Sequence, residues 1–268
     1  MNLKRRLPTA VILLGLVFLV IQYAPESVLF IFQIAFIIGA LVEFYNLAAK
    51  KDLLPQRALG YVLAIIIGAT FYFRSIPFDL ALYAGLLVAA FYFVSSFRTV
   101  DKLPYFPASF AITLIGAVYI AFPFSYILRT RLDYGPFYLY FLFAVIFLGD
   151  SGAYFIGSPF GRRKMTPLAS PNKTWEGSAG GVLFAALGAV AARYLLLPEI
   201  PLWKAVVCGV LVHAAAQVSD PLESLFKRAA GVKDSSNALP GHGGFLDRID
   251  SLILATPLFY YLVKYFWT

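Results

Sequence analysis

Long apolar runs broken by short polar intervals dominate this chain. Nine of them approach the length a helix needs to cross a membrane: Leu7–Tyr23, Val28–Ala48, Ala58–Phe73, Leu80–Phe97, Pro107–Leu128, Pro136–Gly157, Gly177–Leu197, Leu202–Val218 and Ser251–Phe266. A hydrocarbon core of ~30 Å takes about 20 such residues, and a segment inside it has to satisfy its own backbone hydrogen bonds. The pattern therefore predicts an all-α, polytopic integral membrane protein with about nine transmembrane helices. The first run follows Lys4-Arg5-Arg6, as the core of a signal peptide would. It ends in Gln22-Tyr23-Ala24-Pro25 without a clear small-x-small cleavage site, and so reads as a retained anchor. No internal repeat is visible, which leaves an inverted-repeat transporter without support.

Composition sharpens the picture by exclusion. Of 268 residues, 60% are hydrophobic and 13% charged, against roughly 45–50% and about 25% in soluble domains. A soluble enzyme and a disordered chain are both ruled out. The lone Cys208 excludes an intrachain disulfide and a cysteine metal cage. Alternating the nine spans from a cytoplasmic N-terminus puts 16 of the 22 basic residues inside. It leaves Arg74, Arg129, Arg131, Arg193, Lys204 and Lys264 outside or at outer helix ends. That asymmetry predicts N-in, C-out. The net charge of +8 then calls for no nucleic acid: a basic inner face suits anionic lipid headgroups and a polyanionic substrate.

Polar residues divide the chain in two. Residues 1–148 read as a transmembrane scaffold of about five and a half spans, with Glu43 and Asn46 among its few polar interruptions. Residues 149–268 carry two long cytoplasmic loops, 158–176 and 219–250, and the candidate chemistry. The first polar cluster runs Gly149-Asp150-Ser151, then Arg162-Arg163-Lys164, then Ser170-Pro171-Asn172-Lys173-Thr174-Trp175-Glu176-Gly177. A carboxylate within a span costs about 2.5–3.5 kcal/mol on insertion scales unless it meets water or a partner, which marks Asp150 as a functional candidate. The Arg162–Lys164 run reads as topology signal and lipid contact. Lys173 precedes a helix start at Thr174, where free backbone N–H groups favour phosphate.

In the second cluster His213, Gln217, Asp220 and Ser224 fall at i, i+4, i+7 and i+11, one helical stripe that should line a cavity. His213 by itself reads as a hydrogen-bonded interior residue. Glu223 and Lys227, four apart, are expected to form an ordinary surface pair. Asp247 and Asp250 lie on one side at the start of the last helix. Capping accounts for one of them. A second carboxylate there, with Asp220 from the preceding helix, makes an oxygen-rich set of the kind Mg²⁺ prefers. The His242-Gly243-Gly244 turn allows close backbone approach to a ligand, and basic residues flank the expected metal on both sides. Acid, metal, base and glycine together imply phosphate chemistry.

The 27 residues from Ser224-Leu225-Phe226-Lys227-Arg228 through Lys233-Asp234 to Leu239-Pro240-Gly241-His242-Gly243-Gly244-Phe245-Leu246-Asp247-Arg248-Ile249-Asp250 resemble the signature of phosphatidate cytidylyltransferases, with no departure within it. The 170–177 and 149–151 stretches resemble that family too. The resemblance implies transfer of CMP from CTP to phosphatidic acid, giving CDP-diacylglycerol and pyrophosphate. It implies a Mg²⁺-dependent homodimer among membrane lipids, and a bacterial inner membrane with the site facing the cytoplasm. On that basis Asp220 and Asp247 are expected as Mg²⁺ ligands and Asp250 as an additional one, with room for a second cation of unspecified identity. Lys173, Lys227, Arg228 and Arg248 would neutralise phosphate charge. Asn172, Ser151 and the Gly243-Gly244 backbone would donate hydrogen bonds, Asp150 and Ser224 would join the substrate site, and His242 would protonate or position pyrophosphate. Two rivals are weighed. One is another Mg²⁺-dependent membrane phosphotransferase, disfavoured because the CDP-alcohol phosphotransferase spacing is absent. The other is a cation-coupled transporter using Asp150, His213 and Asp220, disfavoured because charge gathers at one face.

Overall fold

The computed structural model describes residues 3–267 apart from Pro240 and His242, and the side chains of residues 3–10 are outside the description. Among the described residues the chain is almost entirely helical and forms two compact units, Met1–Leu128 with Ala229–Arg248, and Arg129–Arg228 with Ile249–Thr268.

The first unit holds α1 (Leu3–Tyr23), α2 (Glu26–Ala49), α3 (Arg57–Tyr72), α4 (Phe78–Ser96), a 3₁₀ segment (Val100–Tyr105), α5 (Phe106–Phe124) and the start of α6 (Tyr126–Tyr134). Its helices close on aromatic side chains seated against glycines. The Tyr45 side chain lies against Gly60 of α3 and Gly116 of α5, where a Cβ would come within 2.0 Å of its hydroxyl and 2.6 Å of its ring respectively. Its hydroxyl donates to the Thr113 carbonyl at 2.7 Å. Gln33, buried in α2, donates to Ser125 Oγ and accepts from the Leu128 amide. Polar groups this deep find their partners within the protein.

The second unit holds α7 (Pro136–Phe160), a hairpin of β1 (Lys164–Thr166) and β2 (Ser170–Thr174), α8 (Trp175–Leu196), α9 (Leu202–Ala229, its last residue in the first unit) and α10 (Leu246–Leu262), which ends in a π-helical stretch (Val263–Trp267). Small residues bring α7 and α8 together: a Cβ on Gly152 would stand 2.4 Å from Phe184, one on Gly180 2.6 Å from Ile156, and one on Gly157 3.1 Å from the Gly177 Cα. Lipid tails are as apolar as leucine, so close backbone approach replaces hydrophobic burial as the force between such helices.

Among the described residues, six helical segments are long and apolar enough to cross a membrane: α2, α4, the segment Val100–Tyr134, α7, α8 and α9; Val11–Tyr23 and Arg57–Tyr72 are shorter apolar helices. The helices run further than hydropathy alone suggests. Helix α9 continues to Ala229 rather than stopping near Val218, and α7 reaches Phe160. At 1.5 Å per residue the 28 residues of α9 span about 42 Å, longer than an apolar core of ~30 Å, and its last turns are polar. The second polar loop consequently starts near residue 230 instead of 219. Within the first loop, the hairpin is a feature the sequence pattern leaves unread.

Candidate active site

The hairpin and the helix after it are fixed by local chemistry. Thr174 caps α8, its Oγ1 accepting from the Gly177 amide at 3.1 Å, as an N-cap threonine should. Glu176, in the first turn, accepts from the backbone amides of Arg162 and Arg163 through Oε2 at 3.0 and 3.2 Å. Arg228, in the last turn of α9, donates from Nε to the Ala169 carbonyl at 3.3 Å. These contacts hold β2 so that Asn172 and Lys173 face a cavity of about 590 Å³ within the second unit, walled also by Asp150, Tyr154, Gln217 and Asp220. That volume lies in the range of small-molecule sites, roughly 300–1,000 Å³.

The wall is charged. Lys173 Nζ lies 2.7 Å from Asp220 Oδ2, with both side chains about one-third exposed. Ser224 Oγ donates to Asp220 Oδ1 at 3.3 Å. Higher on the same stripe Gln217 donates from Nε2 to the Ser178 carbonyl at 3.0 Å and its Oε1 accepts from the Ser178 hydroxyl. Its Nε2 also meets His213 Nε2 at 2.9 Å, and with that amide orientation the ring nitrogen is the acceptor. His213 is fully buried, between Gly149 and Gly181, where added Cβ atoms would approach its ring to 2.4 and 2.6 Å. It is thus the interior residue its sequence context suggests.

Other candidates lie elsewhere. Ser151 turns away and donates to the Phe147 carbonyl at 2.7 Å. Glu223 and Lys227 form an ion pair of 2.5 Å whose side chains are 0% and 9% exposed. The expected surface pair is therefore a buried one: α9 turns this face inward, where apolar burial would otherwise leave either charge uncompensated. Asp250 Oδ1 accepts from the Ser251 amide at 2.7 Å, and its carbonyl accepts from the buried Ser219 hydroxyl. Arg248 is exposed, and His242 falls outside the described residues.

The signature segment before α10 belongs to the first unit. Asp247 Oδ2 accepts from Ser235 N, Ser235 Oγ and Gly244 N at 3.0, 2.7 and 2.8 Å. The Gly244 amide, which the family resemblance assigns to the substrate, is thus engaged by a carboxylate of its own segment. Gly243 has φ +78° and a Cβ there would lie 2.7 Å from Asp247 Oδ2, so glycine is needed for conformation and for room. Sequence analysis gives Glu43 no role beyond interrupting an apolar helix. In the structure it receives hydrogen bonds from Ser235, Ser236, Phe245 and Leu246. Its only signal in the sequence is a carboxylate inside a span, the signal that singled out Asp150.

Among the described residues no group of three or more His, Cys, Asp or Glu side chains is arranged to hold a metal ion. Mg²⁺ needs only one or two carboxylates when substrate phosphate and water complete its shell, and the cavity offers the hard oxygens of Asp150 and Asp220.

A cytidylyltransferase family model matches residues 4–266. The chain belongs to the cytidylyltransferase family. It is 33% identical to the phosphatidate cytidylyltransferase of Staphylococcus epidermidis over 261 residues, covering 96% of this chain and 97% of that one. With the Staphylococcus aureus (strain COL) protein of the same name it shares 33% identity over 256 residues, with the same coverage. With that of Bacillus subtilis (strain 168) it shares 39% over 191 residues, 70% of this chain and 68% of that one.

Proposed function

We propose that this cytidylyltransferase uses phosphatidic acid as acceptor, making CDP-diacylglycerol for phospholipid synthesis. A phosphate oxygen of phosphatidic acid attacks the α-phosphorus of CTP. The new P–O bond forms as the bond to the bridging oxygen of the β-phosphate breaks, and pyrophosphate leaves with that oxygen. The acceptor is already an anion, so the protein's task is to hold two repelling polyanions and offset charge on the departing group. The observation that carries this reading is a cavity with Lys173 set against Asp220 in a membrane-embedded member of this family. Lys173 supplies positive charge, and Asn172 beside it supplies an amide donor.

Asp220 is the metal ligand this reading takes from the cavity, and Asp247 and Asp250 are taken from the sequence signature alone. Mg²⁺ held at Asp220 would neutralise charge on the phosphate oxygens. The finer topology belongs to the same proposal: nine spans formed by α1–α5 and α7–α10, N-terminus inside, a homodimer in a bacterial inner membrane, and the cavity facing the cytoplasm.

The test is direct. Purified protein in phosphatidic-acid nanodiscs with CTP and Mg²⁺ is expected to release pyrophosphate and form CDP-diacylglycerol. Release that does not depend on phosphatidic acid, or none at all, would overturn the acceptor assignment.

A further inference from the structure

Glu43 is a carboxylate in the C-terminal third of the apolar helix α2, only 3% exposed. Burial of such a group requires compensation, and here it comes from a segment some 200 residues away. Oε1 accepts from Ser236 Oγ at 2.6 Å and the Phe245 amide at 2.9 Å; Oε2 accepts from Ser235 Oγ and the Leu246 amide, both at 2.8 Å. The two amides belong to the entry of α10, where helical N–H groups lack intrahelical partners. Glu43 thus acts as the cap of a helix to which it does not belong.

Three further features tie it to Asp247. The Ser235 hydroxyl sits between the two acids, 2.8 Å from Glu43 and 2.7 Å from Asp247. Its single hydrogen is shared between the two carboxylates, which couples their positions. Gly244 is the only residue type that fits, since a Cβ would come within 2.2 Å of both Glu43 Oε2 and Ser235 Oγ. The Phe245 ring lies over Gly39, 2.8 Å from where a Cβ would stand, and meets Phe36 edge-on at 5.2 Å. Phe36, Gly39 and Glu43 form one face of α2, so the signature segment is held by an apolar seat with a charged lock at its end.

We propose that Glu43 is a positioning residue for nucleotidyl transfer: it fixes Ser235, Ser236, Phe245 and the first turn of α10 so that the Asp247 carboxylate is held in its working orientation. This rests on the functional reading above. Glu43→Gln keeps the size but puts a donor where two donors already point. In nanodiscs, kcat is expected to fall on the order of 10²-fold, the cost of about 1 Å of misplacement, with KM for CTP within about threefold. Hydrogen exchange should rise at residues 243–247 while α7 and α8 keep their protection. Ser236→Ala removes one of the four bonds without leaving a charge unpaired by substitution, and should give a smaller kcat loss with the same local exchange pattern. Wild-type kcat in Glu43→Gln overturns the proposal, as does unchanged exchange at 243–247. If Glu43→Gln fails to fold, Ser236→Ala with wild-type kcat and exchange overturns it. Wild-type protein that releases no pyrophosphate sinks the functional reading instead; exchange needs no turnover, and normal protection at 243–247 in Glu43→Gln would then sink the clamp as well.

Discussion

Lys173 and Arg163 are ten residues apart in one basic, polar stretch, yet their surroundings differ in kind. Lys173 faces the cavity with Asp220 2.7 Å from its ammonium. Arg163 is an exposed side chain whose backbone is held by Glu176. Removing a group that meets developing charge in a shielded site typically costs about 10²–10³-fold, whereas a surface charge acts only through a screened potential. Lys173→Ala should therefore lower kcat/KM by about 10²-fold, and Arg163→Ala should change it little. Equal, salt-dependent losses in a steady-state pyrophosphate assay would show that both act only through surface potential. Asp150 and Glu43 carry another residue-scale lesson. Each is a carboxylate in an apolar run, and the same desolvation argument marks both, but it does not say whether the compensating partner is a ligand or the protein's own backbone.

At the scale of elements, the hydropathy pattern located the helices because length and apolarity are local properties. It missed the ends of α7 and α9, since a helix continues through polar residues wherever its backbone bonds are still made. The β1–β2 hairpin was illegible because it is only three and five residues long and is held by contacts from elsewhere: Glu176 to the 162–163 amides and Arg228 to the Ala169 carbonyl. The Thr174 cap was legible because an N-cap is written in neighbouring residues. Thr174→Ala should cost about 0.5–2 kcal/mol. Gly152→Val should cost about 1–3 kcal/mol by overpacking against Phe184, seen in both cases as a lower midpoint of thermal unfolding in detergent. A Gly152→Val midpoint equal to wild type would show that α7 and α8 separate freely at that point.

For the whole molecule, the distribution of Lys and Arg predicts an orientation that can be measured without any assay of activity. Cys208 is fully buried, so a membrane-impermeant maleimide meets little background. Arg163→Cys, beside the hairpin, is expected to label only after cells are opened. Glu199→Cys, in the α8–α9 connection, should label in intact spheroplasts. The reverse pattern would invert the proposed topology. What the amino-acid order determined by itself was the apolar surroundings, the helices and the family, because apolar length and motif spacing are properties of contiguous chain. Only the folded arrangement decided which polar groups meet: Lys173 with Asp220, and Glu43 with the amides before α10. A helical stripe fixes the face a side chain occupies, but its partner depends on which distant segment comes within hydrogen-bond reach, and no local pattern encodes that distance.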